Sequence, residues 1–427
     1  MIMINTIQRA VTRTIAVSVL MCGTAACSNK FVDVTNPNVI IASTVDTTSS
    51  STVTLLANSA QQNFAAAYGW LAVYSSWFSG EADVADTFPT RNEFGFRQIA
   101  DVNGSLLTDT WNPIQLAAAS TKIVLDLTLP NPTTNINIAR AATFRGYAVL
   151  HMATDFCNGD LSISSLASGP KLTTAQLLDT ATYWFNVGRT VGLANASADG
   201  INLANASAVG TARARLQRGD NVGALAAAAL VPAGFVYNMV YLFDLNNSNR
   251  MYNRVYQYTF DRSAVSVAAG YQTGDPRVPF FTPAQTAIRG QDALPNGFFP
   301  QNKFTAYGSS MRLASRLEAD YIAAEASASS AQELTLIAAR RAANNQPAYA
   351  GATDAASVLT ELMYQKSFDF YLEDRKLGDY RRNPAATRNI LPAGATYLKP
   401  GYASVGTQTC FPVPYQEYST NTNYGAP

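Results

Sequence analysis

The stretch Ala212–Leu230, ARARLQRGDNVGALAAAAL, holds two runs of helix-forming residues separated by Gly219-Asp220. Glycine and aspartate are turn formers, so the pair predicts a tight turn joining two helices. Ala224 and Ala228 stand four apart, on one face of the second helix, and their small side chains let the two helices approach closely. A hairpin of this kind stacks on others like it, several in succession giving a curved helical array.

The flanking sequence supplies such neighbours. Leu56, Ala60, Phe64, Ala67, Leu71 and Tyr74 recur at helical spacing. Ala-rich helical segments are expected at about 112–128, 136–157, 173–191, 203–217 and 221–230, and further helices at 310–328, 331–344 and 353–377. Between them lie loop-rich sections at about 77–111, 241–309 and 383–427, the last with Pro384, Pro392, Pro400, Pro412 and Pro414. Tyr256, Tyr258 and Phe260 alternate as in a short strand. The expectation is a mostly α, single domain over 55–427: a helical scaffold at about 112–240 and 310–382 that carries long irregular loops and a few short strands. Loops of that length are commonly functional.

The chain has 427 residues, 48% of them apolar, which is enough for a substantial core. A net charge of +1 gives no electrostatic reason to expect nucleic acid or an anionic membrane surface as partner. Arg9 and Arg13 precede the apolar run Ile15–Met21, followed by Thr24-Ala25-Ala26-Cys27. A basic region, a short apolar core and small residues describe a secretory signal, here 1–26. Small residues followed at once by cysteine resemble a bacterial lipoprotein signal, with Cys27 lipidated and Thr24 standing where a large aliphatic residue is usual. Residues 27–54, rich in Thr, Ser, Asn and Val, read as a tether. No later segment offers the run of about 20 apolar residues a membrane helix needs, so the expected attachment is by lipid anchor. Export makes a disulfide between Cys157 and Cys410 possible, with two separate thiols as the equal alternative.

Carbohydrate sites want aromatic faces for sugar C–H surfaces beside polar groups for hydroxyls. Trp77 with Asp83 and Arg91, Trp111 with Asn112, and Phe298-Phe299 with Asn296 meet that demand, whereas Trp184 lies in an Ala-rich helix and is assigned to the core. His151 has no second histidine at metal spacing and no nearby nucleophile, and reads as a packed helix residue. Glu81, Asp83 and Asp86 offer carboxylates, but their closeness in sequence does not establish the separation a glycosidase requires. No phosphate loop, metal motif or nucleophile elbow is present, and no cofactor is expected.

One run concentrates charge: Phe370–Arg382, FYLEDRKLGDYRR. On a continuous helix Lys366, Asp369, Glu373 and Lys376 fall on or beside the face of Leu359, Leu362, Met363 and Phe370. Charges beside an apolar stripe must be paired as they are buried. Glu373 is expected buried, bonded to Arg316, Lys376 or Arg382, within a structural ion-pair network of Lys366, Asp369, Glu373, Lys376, Asp379 and Arg382.

Several of these stretches resemble, in order, the SusD/RagB family of outer-membrane nutrient-binding lipoproteins. CSNKFVDVTNPN (27–38) is similar to the mature start of that family, and ARAATFRGYAVLHMATDFCNGDL (139–161) to a helix that ends in an aromatic-x-Gly/Asn-Asp turn. RLEADYIAAEA (316–326), FYLEDRKLGDYRR and CFPVPYQEYSTNTN (410–423) look like the family's remaining signatures. The resemblance implies a tetratricopeptide-like helical core, no enzymatic activity, and a TonB-dependent SusC-type transporter as partner. It also implies an oligosaccharide, peptide or similar nutrient as ligand, and a lipid-anchored position in the outer membrane, at the cell surface or on its periplasmic face. Two other readings stand beside it: an envelope scaffold lipoprotein whose helical repeats grip protein partners, and a glycan hydrolase.

Overall fold

In the computed structural model the described residues are 46, 49–161 and 168–425; the signal peptide 1–26, the lipidation site Cys27 and most of the tether lie outside them. The first half runs α1 (Ser50–Phe78), β1 (Ala82–Val84), α2 (Pro89–Gly95), a π-helical turn at Leu106–Trp111, α3 (Asn112–Leu125) and α4 (Ile136–Asp155). It continues with β2 (Asn158–Gly159), β3 (Leu172–Thr173), α5 (Thr174–Asn195), α6 (Ala198–Arg218), α7 (Asn221–Ala229) and β4 (Val236–Met239). The second half holds α8 (Ser248–Met251), α9 (Arg254–Phe260), β5 (Val265–Val267), β6 (Met311–Ser315) and α10 (Arg316–Ser327). It ends with α11 (Ser330–Ala343), α12 (Ala355–Asp369), α13 (Lys376–Arg382) and α14 (Tyr415–Thr420). The strands form antiparallel pairs, β1 with β5, β2 with β3 and β4 with β6.

The α6–α7 turn shows how sequence sets the scaffold. Gly219 takes φ +83°, a conformation costly for any residue with a Cβ, and its N–H donates to Leu216 O at 3.0 Å. The Asp220 carboxylate then accepts the Gly223 N–H at 2.9 Å and starts α7. Ala224 and Ala228 are buried against this hairpin. Further back, missing side chains again set the spacing. A Cβ at Gly146 on α4 would lie 2.6 Å from the Phe185 ring of α5, and one at Gly210 on α6 would lie 2.4 Å from the same ring. Phe185 therefore locks three helices together only because both partners are glycine. The fold is mostly α, a tetratricopeptide-like helical scaffold with loops, as the sequence predicts.

Several boundaries differ from expectation. Ser49 caps α1, so the last residues assigned to the tether are its first turn. Tyr256, Tyr258 and Phe260 sit on helix α9 and not on a strand, because the Asn253 side chain accepts the Tyr256 N–H and caps a helix there. The helix expected over 310–328 begins as strand β6. That expected over 353–377 stops at Asp369; Leu372 (φ 57°) and Asp374 (φ 55°) are left-handed and turn the chain before α13. A bulky residue in that conformation costs about 1–2 kcal/mol, which the surrounding bonds offset. Tyr68 donates to Glu373 O at 2.9 Å, the Leu372 N–H donates to Glu81, and Tyr371 donates to Glu81 O at 3.1 Å.

The charged run lies in this turn, and its pairing differs from the helical-wheel reading. Glu373 is 3% exposed and accepts from Lys303 (2.7 Å) and Arg312 (2.9 Å), not from Arg316, Lys376 or Arg382. The chain reversal points it at β6 and the loop before it. Burial pushes its carboxyl up, but Lys303 and Arg312 outweigh burial and hold it below the usual range. Asp369 accepts two bonds from Arg340 and one from Tyr321. Lys366 and Arg382 both bond Asp379, and Arg382 also bonds Glu325. Lys376 is buried, with its ammonium donating to Asn389 O at 3.1 Å and lying 4.9 Å from the centre of the Tyr271 ring. Arg381 donates to the carbonyls of Ala153, Thr154 and Phe156, satisfying the C-terminal end of α4.

His151 is buried, its Nδ1 2.8 Å from Asp374 and 3.7 Å from Asp155. Burial alone would lower the His151 pKa, yet the bonds to these two carboxylates raise it. The cluster ties α4 to the 370–375 turn as an internal ion group. Cys157 and Cys410 are joined by a disulfide, with Cα atoms 5.1 Å apart. Among the described residues no helix is long and apolar enough to cross a membrane.

Candidate ligand-binding pocket

Asp83 is the centre of strand β1, and its neighbours Ala82 and Val84 face the core. Alternation along the strand turns the Asp83 carboxylate outward, into a cavity of about 290 Å³. The end of α1 supplies Trp77 and Phe78, the loop after β5 supplies Ala268–Gly270, and Leu294, Pro295 and Asn296 form a further wall. Leu391 and Tyr397 close the opposite side. Gly80, at φ +69°, lets the wall close: a Cβ there would lie 2.5 Å from Asn389 O.

The lining is largely apolar, and its polar groups are mostly spent inside the protein. Arg97 donates to Tyr380 and Leu391 O, Gln272 to Val267 O, and Asn389 to Gly270 O. The Asp83 carboxylate makes no hydrogen bond to the described residues. Burial without a partner raises its pKa from 3.8 to about 7. The Trp77 Nε1–H is also buried and unpartnered. Such a site offers apolar walls, a carboxylate with no internal partner and the Asn296 amide, an arrangement suited to a ligand with a C–H face and a hydroxyl or ammonium donor. Among the described lining residues Asp83 is the one carboxylate.

Three expected site residues, Trp77, Asp83 and Asn296, thus meet at one pocket. Trp77 is not an exposed platform, however. It closes α1, is 1% exposed, and packs edge-on against Tyr74. Trp111 is a correction outright: it is 1% exposed, and its Nε1–H donates to Glu417 at 3.1 Å, so it belongs to the core. Phe298 is buried as well, and Phe299 packs edge-on against Phe280. Arg91 lies elsewhere, paired with Asp86 and resting on the rings of Phe88 and Tyr258. Aromatic loops in a low-charge chain turn inward because the rings gain more from burial than from water. Trp184, assigned to the core, is instead half-buried beside the Arg145 guanidinium.

The carboxylates weighed for hydrolysis also separate. Glu81 is buried against the Leu372 N–H, and Asp86 is held by Arg91. His151, Asp155 and Asp374 are the described His, Cys and acidic side chains grouped closely enough to hold a metal ion. His151 and Asp374 pair directly, while burial and the neighbouring Asp374 push the Asp155 carboxyl up.

No protein-family model matches the sequence, and no curated protein matches it. Solved structures do match. A SusD superfamily protein from Bacteroides vulgatus aligns with a TM-score of 0.63 at 14% identity, covering 88% of this chain and 98% of that one. One from Parabacteroides distasonis gives the same TM-score, identity and coverage. A laminarin binding SusD-like protein aligns with a TM-score of 0.62 at 15% identity, over 86% of this chain and 98% of its own. The chain has the fold of the SusD superfamily.

Proposed function

We propose that this chain is a SusD/RagB-type nutrient-binding lipoprotein of the outer membrane. It binds an oligosaccharide in the Asp83 pocket, without enzymatic activity, and delivers it to a TonB-dependent SusC-type barrel. The observation that carries the reading is the alignment along most of both chains with a laminarin binding SusD-like protein. The pocket supports it by offering apolar walls and a carboxylate with no internal partner, and the sequence before Cys27 supports the anchor.

The pocket reading predicts a pH dependence. A sugar hydroxyl donates more strongly to a carboxylate than to a neutral carboxyl, by about 1 kcal/mol. Asp83 titrates near 7, so affinity for the oligosaccharide should rise several-fold as pH rises through that value. Asp83→Asn should bind more weakly and show no such rise, which calorimetry across pH measures. Equal pH profiles for the two proteins would remove Asp83 from the site. Stability moves the other way. A raised carboxyl pKa means that stability is fully present below the unfolded value of 3.8 and is lost as pH rises through about 7. Asp83→Asn should therefore raise the melting temperature at about pH 8 and leave it unchanged in strong acid.

The partner is tested separately, by recovering the tagged lipoprotein from outer membranes. Co-purification of a large β-barrel transporter is expected. An envelope assembly without a barrel would favour the scaffold reading instead.

A further inference from the structure

A second concavity, of about 340 Å³, runs along the flank of α1 and shares no lining residue with the Asp83 pocket. Its floor is Trp70, half-buried and held in place: the Arg254 guanidinium lies 4.4 Å from the ring centre, and Tyr258 packs edge-on at 5.1 Å. Asn63 stands seven residues before Trp70, on the same face of the helix. Thr108 and Asp109 enter from the π-helical turn and Asn112 from the start of α3, while Arg250 enters from α8. Single π turns are rare and frequent at functional sites. Here the turn delivers its polar residues to the open side of a tryptophan.

Within the groove the charged groups are partly engaged and two amides are not. Asp109 is engaged by Tyr74 at 2.5 Å and by Thr108 at 3.0 Å, and Arg250 uses one terminal nitrogen on Ser59. The amides of Asn63 and Asn112 make no hydrogen bond to the described residues. Each amide offers two donors and an acceptor, the pattern that adjacent hydroxyls on a sugar ring satisfy. Asp109 and Arg250 line the groove with opposite charges, and the Arg254 guanidinium rests on Trp70.

We propose that this groove is a second binding site, for a neutral sugar ring of an oligosaccharide. The ring lays its C–H face against Trp70 and gives its hydroxyls to Asn63, Asn112 and Arg250. The inference rests on the glycan reading of the ligand but not on the Asp83 pocket.

Labelling with 5-fluorotryptophan gives one ¹⁹F resonance for each of the chain's four tryptophans, assigned through Trp→Phe variants. The probes are laminari-, malto-, xylo- and manno-oligosaccharides, and a casein peptide digest. With at least one oligosaccharide the Trp70 resonance should shift on binding. Asn63→Ala and Asn112→Ala, which break no internal bond, should each weaken that binding about tenfold. These two variants keep the test valid if Trp70→Phe disturbs the packing with Arg254. Binding that shifts Trp77 alone overturns the groove and leaves the pocket standing. A shift at Trp70 alone supports the groove and removes the pocket. A Trp70 shift with peptides only, or with no probe at all, overturns the inference.

Discussion

Glu373→Ala is expected to lower folding stability by about 3–5 kcal/mol, the range found when one partner of a buried ion pair is removed. The carboxylate is 3% exposed and is the shared acceptor of Lys303 and Arg312. Burial lowers the pKa of Lys303 in spite of its attraction to Glu373, so desolvation of this cation is only partly offset even in the intact pair. Without Glu373 two partly buried cations face each other across the same space. Adding Lys303→Met should therefore recover part of the loss, because an apolar side chain demands no counter-charge. Urea midpoints of the single and double variants measure both effects. The pH dependence adds a signature. The folded pKa of Glu373 is depressed, so its contribution is present above the unfolded value of 4.5 and is lost as pH falls through the folded value. The gap between wild type and Glu373→Ala should close in acid. A full gap there would mean that lost packing, and not lost charge, carries the effect.

The turn that holds Glu373 also marks where sequence reading stops. Gly219-Asp220 announced its hairpin because glycine and aspartate act locally, through a positive φ and a cap. At Leu372 and Asp374 the chain also turns left-handed, but no glycine or proline signals it; the conformation is held by Tyr68 and Glu81, both remote in sequence, with the adjacent Tyr371 reaching Glu81 O. The burial of Glu373 was legible from its place beside an apolar stripe, but its partners on a different segment were not. Local pattern misled at Tyr256, Tyr258 and Phe260, where alternation suggested a strand although Asn253-Arg254 already carried a capping residue before a helix.

The candidate site follows the same division. Residue type alone led to Trp77, Asp83 and Asn296, which do converge, since a sugar site needs polar groups beside aromatic rings; that Asp83 stands on a short strand was not legible. Depth was hidden. Trp111 satisfies its N–H on Glu417, some three hundred residues away, and that contact makes it core. Trp70 is not legible as a site residue, because its groove is built from helix faces that only tertiary packing brings together.

The second large effect concerns the Cys157–Cys410 bridge, which spans 253 residues of sequence. Cross-linking so long a loop removes conformational freedom chiefly from the unfolded chain, and its loss is expected to cost about 3–5 kcal/mol. The folded state should survive the loss, because the tail is held in other ways. The Cys157 N–H donates to Phe411 O at 2.9 Å and the Phe411 N–H to Asp155 O at 2.7 Å. The buried Phe411 ring packs edge-on against Phe78, Phe94 and Phe156. Cys157→Ser with Cys410→Ser should therefore keep the native circular-dichroism spectrum while its urea midpoint falls. Its denaturant slope should rise, since an unlinked unfolded chain exposes more surface. A lower midpoint with an unchanged slope would place the effect in the folded state instead, as detachment of the tail. Limited proteolysis beyond Phe411 would then cut the variant faster than the wild type. Equal midpoints in the two proteins would mean that the aromatic contacts of Phe411, and not the covalent bond, fasten the C-terminal segment to α4.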